Sequence, residues 1–178
     1  MKTLGIFIGR MNPPHKGHIA TIKKALQEND EFLILLGSGH SIDINNPLSY
    51  KERKGLLSPY IDVKNIQEIK DTETNKEWTQ NIGNIIQNNY DIEKVVFYGG
   101  DFENDSAILA LKENEKYLKI KNIEYILNPR IKSNIIYKGK KYNISSTNLR
   151  KALSEKNNEL IKLFVDEKIF FQIKQYFL

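Results

Sequence analysis

Along this chain, short apolar runs alternate with longer stretches in which apolar residues recur every three or four positions. TLGIFIG (3–9), EFLILLG (31–37), KNIQEIK (64–70), EKVVFYGG (93–100) and IEYILN (123–128) have the length and composition of strands. Between them, HKGHIATIKKALQE (15–28), NPLSYKERKGLL (46–57), NKEWTQNIGNIIQNN (75–89) and DSAILALKENEKYL (105–118) read as helices. Ser49-Tyr50-Lys51-Glu52 has the capping-box pattern, so a helix should start there. Strand–helix alternation predicts right-handed crossovers. The expected class is α/β, with a mostly parallel sheet and helices on both faces.

The last third changes character. IIYKGKKYNI (135–144) reads as a hairpin or an extended excursion around Gly139, and SSTNLRKAL as a short helix opened by serine or threonine. NELIKLFVDEKIFFQIKQYFL reads as one or two amphipathic helices. No repeat, low-complexity tract or long linker interrupts the chain. We expect one domain over 1–178, an α/β core (1–144) followed by closing helices (145–178).

Composition narrows the chemistry. The 178 residues are 40% apolar and 28% charged, which fits a soluble globular protein. There is no cysteine, which excludes disulfides, zinc–thiolate sites and thiol nucleophiles. The apolar run in MKTLGIFIGR is too short for a signal peptide, and no stretch approaches a membrane span. A cytoplasmic location without a membrane partner is therefore expected. The net charge of +5 suits anionic ligands but reads first as a lysine-rich surface. Lys138-Gly139-Lys140-Lys141 falls on a predicted turn, so no nucleic-acid partner is expected. The only arginines are Arg10, Arg53, Arg130 and Arg150. In a lysine-rich chain, an arginine marks places where a rigid fork of donors is useful, as for phosphate.

In an open α/β sheet, ligands bind beyond the carboxyl ends of the strands, near the switch in strand order. Here those ends are the loops Gly9–Gly17, Gly37–Pro47 and Gly99–Asp105. All three histidines lie in the first two loops or, for His18, directly after the first, and four of the ten glycines (Gly9, Gly37, Gly99, Gly100) sit at the strand ends. The first loop, GRMNPPHKGH, is the most informative. His15 and His18 are three apart at a helix start, so they share a face. The backbone N–H groups and the helix dipole there favour an anion. Gly17 would let a ligand pack against the first turn. A metal reading of His-x-x-His lacks a third ligand nearby. Neither the Walker phosphate loop nor the dinucleotide fingerprint is present.

These residues carry a resemblance. Gly9 to His18 looks like the nucleotidyltransferase (H/T)-x-G-H element that follows the first strand of a Rossmann-like nucleotidyltransferase fold. With arginine after the glycine, it resembles the nicotinamide-mononucleotide (NMN) adenylyltransferases of the archaeal type, also found fused to Nudix domains in bacteria. Gly37-Ser38 and Asn46-Pro47-Leu48-Ser49 with Glu52-Arg53 resemble that family's glycine–serine turn and N-P-F-T-x-x-E-R stretch. Gly99-Gly100-Asp101 resembles its glycine-rich turn, and Ile144 to Arg150 its I-S-x-T-x-x-R signature. The resemblance runs from about residue 3 to the C-terminus. Departures are Met11-Asn12-Pro13-Pro14 for Phe-Gln-Pro-Phe, Leu48 for phenylalanine and Ser49 for threonine. No Nudix domain is expected.

The resemblance implies an enzyme that joins ATP and NMN into NAD, releasing pyrophosphate, with Mg²⁺ carried on the ATP. It implies that His15, His18, Arg150 and Arg53 serve catalysis, with Arg53 on the NMN phosphate. It places ATP on Gly9, Arg10, Met11, Lys16, Gly99, Asp101, Ser145, Ser146 and Thr147. It places NMN on Arg53, Trp78 and Asp71. Trp78, alone, would read as a core or helix-packing residue, whereas the resemblance makes it a nicotinamide-stacking ring. Asp71 would orient the carboxamide or ribose. His40 is either a ligand contact or an exposed turn residue. The C-terminal aromatics are core or a subunit contact, which leaves a homo-oligomer open. The rival readings are another adenylyl- or cytidylyltransferase, with phosphopantetheine or glycerol phosphate as acceptor, and a non-catalytic nucleotide-sensing module.

Overall fold

The computed structural model describes residues 1–37, 42–100, 105–127 and 134–177. Ser38, His40, Asp101 and Arg130, singled out above, lie outside the described residues. Five strands form one parallel sheet: β1 (Thr3–Gly9), β2 (Glu31–Leu36), β3 (Ile66–Glu68), β4 (Lys94–Gly99) and β5 (Ile123–Leu127). Their spatial order is β3-β2-β1-β4-β5. The chain thus winds outward from β1 on one side and then restarts at β4 on the other. The switch point lies between β1 and β4, whose register pairs Phe7 with Tyr98.

Alternation within the strands decides which helix packs where. Leu4, Ile6, Ile8, Leu33, Leu35, Val95 and Phe97 face one side, against Ile82 and Ile86 of α3 (Asn75–Asn89) and Ile108 and Leu111 of α4 (Ser106–Glu113). The intervening Phe7, Phe32, Ile34, Leu36, Val96 and Tyr98 face the other, against Ile19, Ile22 and Ala25 of α1 (Lys16–Glu28). Leu57 of α2 (Tyr50–Leu57) joins that second face. This is the period-two pattern of strands buried on both faces.

The third strand is shorter than its sequence suggests. Asp62 accepts a hydrogen bond from the Lys64 N–H and starts a 3₁₀ turn over Val63–Asn65, so regular pairing begins only at Ile66. At α2 the capping box forms as read: Ser49 accepts from the Glu52 N–H at 3.2 Å and Glu52 accepts from the Ser49 N–H at 2.8 Å.

The C-terminal part builds a third cluster. The antiparallel hairpin β6 (Asn134–Tyr137) and β7 (Lys140–Asn143) is followed by α5 (Ser146–Ser154), α6 (Asn158–Phe164) and α7 (Glu167–Gln175). Leu149, Leu153, Ile161, Phe164 and Ile169 pack with Leu48 and Leu56 from the region of α2, and Tyr137 and Tyr142 of the hairpin join them. The closing helices therefore share a core with α2 and the hairpin, which docks α5 beside the loop after β1.

Candidate active site

A cavity of about 1020 Å³ opens at the carboxyl ends of β1 and β4. That is the upper end of the usual size for a small-molecule site. Four helices present their N-terminal turns to it: α1 through Gly17 and His18, α3 through Asn75 and Trp78, α4 through Ser106 and Ala107, and α5 through Ser146 and Thr147. Each brings the positive end of a helix dipole. The cavity is built for anions before any side-chain charge is considered.

The histidines are held by each other's backbone. His15 is the N-cap of α1, and its Nδ1 accepts from the Gly17 N–H at 3.1 Å. His18 Nδ1 in turn accepts from the His15 N–H at 3.2 Å. The rings stack at 3.7 Å with 23° between their planes. A nitrogen that accepts a hydrogen bond carries no proton, so the N–H of each ring is on Nε2. Both rings line the cavity. A Cβ on Gly17 would stand 3.0 Å from His15 Cε1, so the ring would have to give by a few tenths of an ångström. Gly17 also lines the cavity.

The loop after β1 has its carbonyl oxygens tied down. The Gly9 oxygen accepts from the Gly37 N–H at 3.2 Å and the Arg10 oxygen from Arg53 Nη1 at 2.6 Å. The Asn12 oxygen accepts from Arg150 Nη1 at 2.8 Å and the Pro13 oxygen from the Ser146 hydroxyl at 2.8 Å. An anion entering the cavity is thereby spared repulsion from these oxygens. Asn12 locks the loop further: its side chain donates to the Leu48 oxygen and accepts from the Leu48 N–H, both at 2.9 Å. Sequence reading missed Asn12. Met11 holds a left-handed φ of 45° beside it, a strained position for a non-glycine residue.

Arg10 and Arg150 both line the cavity. Burial, and then the charge of Arg10, push the Arg150 guanidinium below its ordinary value, with Asp43 opposing. Two like charges brought together at a dipole-lined mouth create a demand for a ligand anion. Ser145 caps α5 by accepting from the Asn148 N–H, and Thr147 accepts from Arg150 Nη2. These hydroxyls shape the turn whose backbone N–H groups meet the cavity.

Asp71, Thr72, Asn75 and Trp78 enter the lining from the segment after β3, two strands along the sheet from β1, and Asn46 lines it too. Trp78 is half-buried, packing against the core cluster while one part lines the cavity. Gly99 and Gly100 form the floor. A Cβ on Gly99 would lie 2.2 Å from Ile108 Cγ1, so only glycine lets α4 sit this close to β4. Asp105, a second residue that sequence reading missed, accepts from the Gly100, Ala107 and Ile108 N–H groups and so fixes the start of α4.

Two predicted site residues sit elsewhere. Lys16 turns away from the cavity, and its Nζ donates to the Lys162 oxygen at 3.0 Å, because α6 packs against the start of α1. Arg53 is 0% exposed and lies outside the lining, since its guanidinium is drawn to the carbonyls of Arg10 and Gly37. Among the described residues no three His, Asp or Glu side chains converge to hold a metal ion. No helix among the described residues is long and apolar enough to cross a membrane.

Known proteins resemble this chain along most of its length. It is 24% identical over 177 residues to the nicotinamide/nicotinic acid mononucleotide adenylyltransferase of Acinetobacter baylyi, covering 96% of this chain and 90% of that protein. It is 37% identical over 86 residues to the nicotinamide-nucleotide adenylyltransferase of Caldivirga maquilingensis, covering 44% of this chain and 48% of that one, so the chain spans about half of this relative. The fold matches a bifunctional NMN adenylyltransferase/ADP ribose pyrophosphatase of Francisella tularensis, solved with AMP and a manganese ion. The TM-score is 0.59 at 22% identity, over 87% of this chain and 42% of that one. The cytidylyltransferase-like sequence profile matches residues 6–152, which takes in the first loop, the floor glycines and the Ile144–Arg150 segment, and the chain belongs to that family.

Proposed function

We propose that this protein transfers the adenylyl group of ATP to NMN, giving NAD and pyrophosphate. One observation carries the reading: the lining of a single cavity joins cationic and imidazole groups from the first loop, α1 and α5 (Arg10, His15, His18, Arg150) to aromatic and polar groups from beyond β3 (Trp78, Asp71, Asn75). A triphosphate fits the first and a nicotinamide ribose the second. An oxygen of the NMN 5′-phosphate attacks the α-phosphorus of ATP, and the bond from that phosphorus to the β-bridging oxygen breaks. The nucleophile is already an anion, so no base must take a proton. Catalysis is positioning and stabilisation of phosphate charge.

In this reading His15 and His18 donate from Nε2 to the phosphate oxygens around the reacting phosphorus. Arg150 and Arg10 hold the β- and γ-phosphates, helped by the N–H groups at the starts of α1 and α5. Trp78 stacks on the nicotinamide ring, and Asp71 bonds the carboxamide or ribose. Mg²⁺ enters on the ATP, held by phosphate oxygens and water, and supplies further charge neutralisation.

The test is product analysis with Mg²⁺-ATP and, separately, NMN, nicotinic acid mononucleotide, phosphopantetheine and glycerol 3-phosphate, following pyrophosphate and dinucleotide by chromatography. NAD from NMN is expected. Turnover only with phosphopantetheine or glycerol 3-phosphate would keep the phosphate site and discard the nicotinamide site. Binding of ATP without turnover of any acceptor would leave a nucleotide-sensing module.

A further inference from the structure

Arg53 is fully buried, and its guanidinium sits between two loops. Nη1 donates to the Arg10 oxygen at 2.6 Å and to the Gly37 oxygen at 2.8 Å, and Nε reaches the Ser49 oxygen at 3.4 Å. Arg10 follows the end of β1 and Gly37 the end of β2. Two carbonyl oxygens within reach of one nitrogen repel each other unless a donor lies between them. Arg53 supplies that donor, with a charge that strengthens both bonds.

The side chain is costly to keep there. Burial pushes its pKa down, and the carboxylate that opposes this is Glu68, which forms no ion pair with it within 4 Å. Nη2 is buried and has no hydrogen-bond partner among the described residues. A substrate-contacting arginine would show some surface to the cavity. Arg10 and Arg150 do, and Arg53 does not.

Building on the functional reading above, we infer that Arg53 is a positioning residue: it joins the strand-end loops of β1 and β2, so that Arg10 and Met11 face the nucleotide, and does not touch the acceptor phosphate. The sequence resemblance assigned it that phosphate. The two roles differ in what they make of the phosphate itself. A phosphate contact is felt by NMN and not by nicotinamide riboside, the same nucleoside without phosphate. A loop-positioning residue is felt equally by both, and by ATP.

The test compares the binding of NMN, nicotinamide riboside and ATP, by Trp78 fluorescence and calorimetry, in the wild type, Arg53→Gln and Arg53→Lys. Temperatures well below each melting point remove simple instability from the comparison. For Arg53→Gln we expect all three affinities to fall together, by about ten- to a hundredfold, the scale of losing charge-assisted hydrogen bonds. Arg53→Lys should recover part of each, because an ammonium can still bridge two carbonyls. A loss confined to NMN would overturn the role.

Should both variants fail to fold, the wild type answers alone. Its four arginines yield four Nε–H resonances under arginine-selective ¹⁵N labelling. The slowly exchanging Arg53 signal should hold one position in the NMN and nicotinamide riboside complexes. Movement between the two would place the phosphate on Arg53 and overturn the inference while sparing NMN binding. Failure of the wild type to bind any of the three ligands would overturn the functional reading and this role with it.

Discussion

Two histidines that cap one helix with their Nδ1 atoms have a consequence for catalysis. Each ring is oriented, and its N–H is fixed on Nε2, before any substrate arrives. Such a donor needs no reorganisation during reaction. His18→Ala is therefore expected to lower kcat by about a hundred- to a thousandfold, the cost of removing one charge-stabilising donor. It also removes the bond to the His15 N–H, so about 1 kcal/mol of stability should go with it. Steady-state kinetics and a thermal melt read the two effects separately, and near wild-type turnover would take His18 out of the site. Trp78→Ala should raise KM for NMN by about tenfold or more, the scale of a base-stacking contact, with much less effect on KM for ATP. Equal changes in both would mean that Trp78 serves the core cluster alone.

At the scale of elements, the cavity depends on how closely α4 approaches β4. Gly99 and Ile108 are the contact that sets it. Gly99→Ala should cost about 1–3 kcal/mol, the usual range for overpacking, and should weaken ATP binding because α4 carries Ser106 and Ala107 into the lining. Ile108→Ala in the same chain should return part of both losses, since it removes two of the three atoms that collide with the new Cβ, leaving only Asp105 Oδ2. A double variant no better than the sum of the singles would show that Gly99 is needed for its backbone and not for space. The start of α5 behaves similarly: Ser146 reaches from that helix to Pro13 and Arg150 to Asn12, so α5 and the first loop move as one.

For the molecule as a whole, one buried and two half-buried phenols tie stability to pH. Burial pushes the Tyr98 hydroxyl up to about 12, with Glu28 adding to it. Burial also raises Tyr60 and Tyr125. In the unfolded chain all three titrate near 10. Between those values the unfolded state loses its protons first, so ionisation favours unfolding. The contribution to stability is complete below about pH 10 and is lost as the pH climbs towards 12. The melting temperature should fall steadily from about pH 10 to about pH 11.5, followed by circular dichroism. Tyr98→Phe should flatten part of that slope. A constant melting temperature over the range would mean that these phenols are not buried as described. The hairpin and closing helices are integral on the same scale, because their apolar residues share a core with Leu48 and Leu56.

Much of this protein was written in local sequence. Period-two and helical spacing placed the five parallel strands and the main helices, Ser49 and Glu52 announced a cap, His15 and His18 stood out by residue type at a helix start, and Trp78 and Arg150 were singled out through the family resemblance. These features depend on near neighbours, which the sequence lists in order. Asn12, Lys16 and Arg53 depend on partners that only folding supplies, whereas Asp105 caps α4 through near neighbours. Asn12 meets Leu48 across 36 positions, Arg53 meets Arg10 across 43, and Lys16 meets Lys162 across 146. No spacing rule reaches that far. A side chain's type states which bonds it can form, and the packing of distant elements decides whether it points at the ligand or at the scaffold that holds the site.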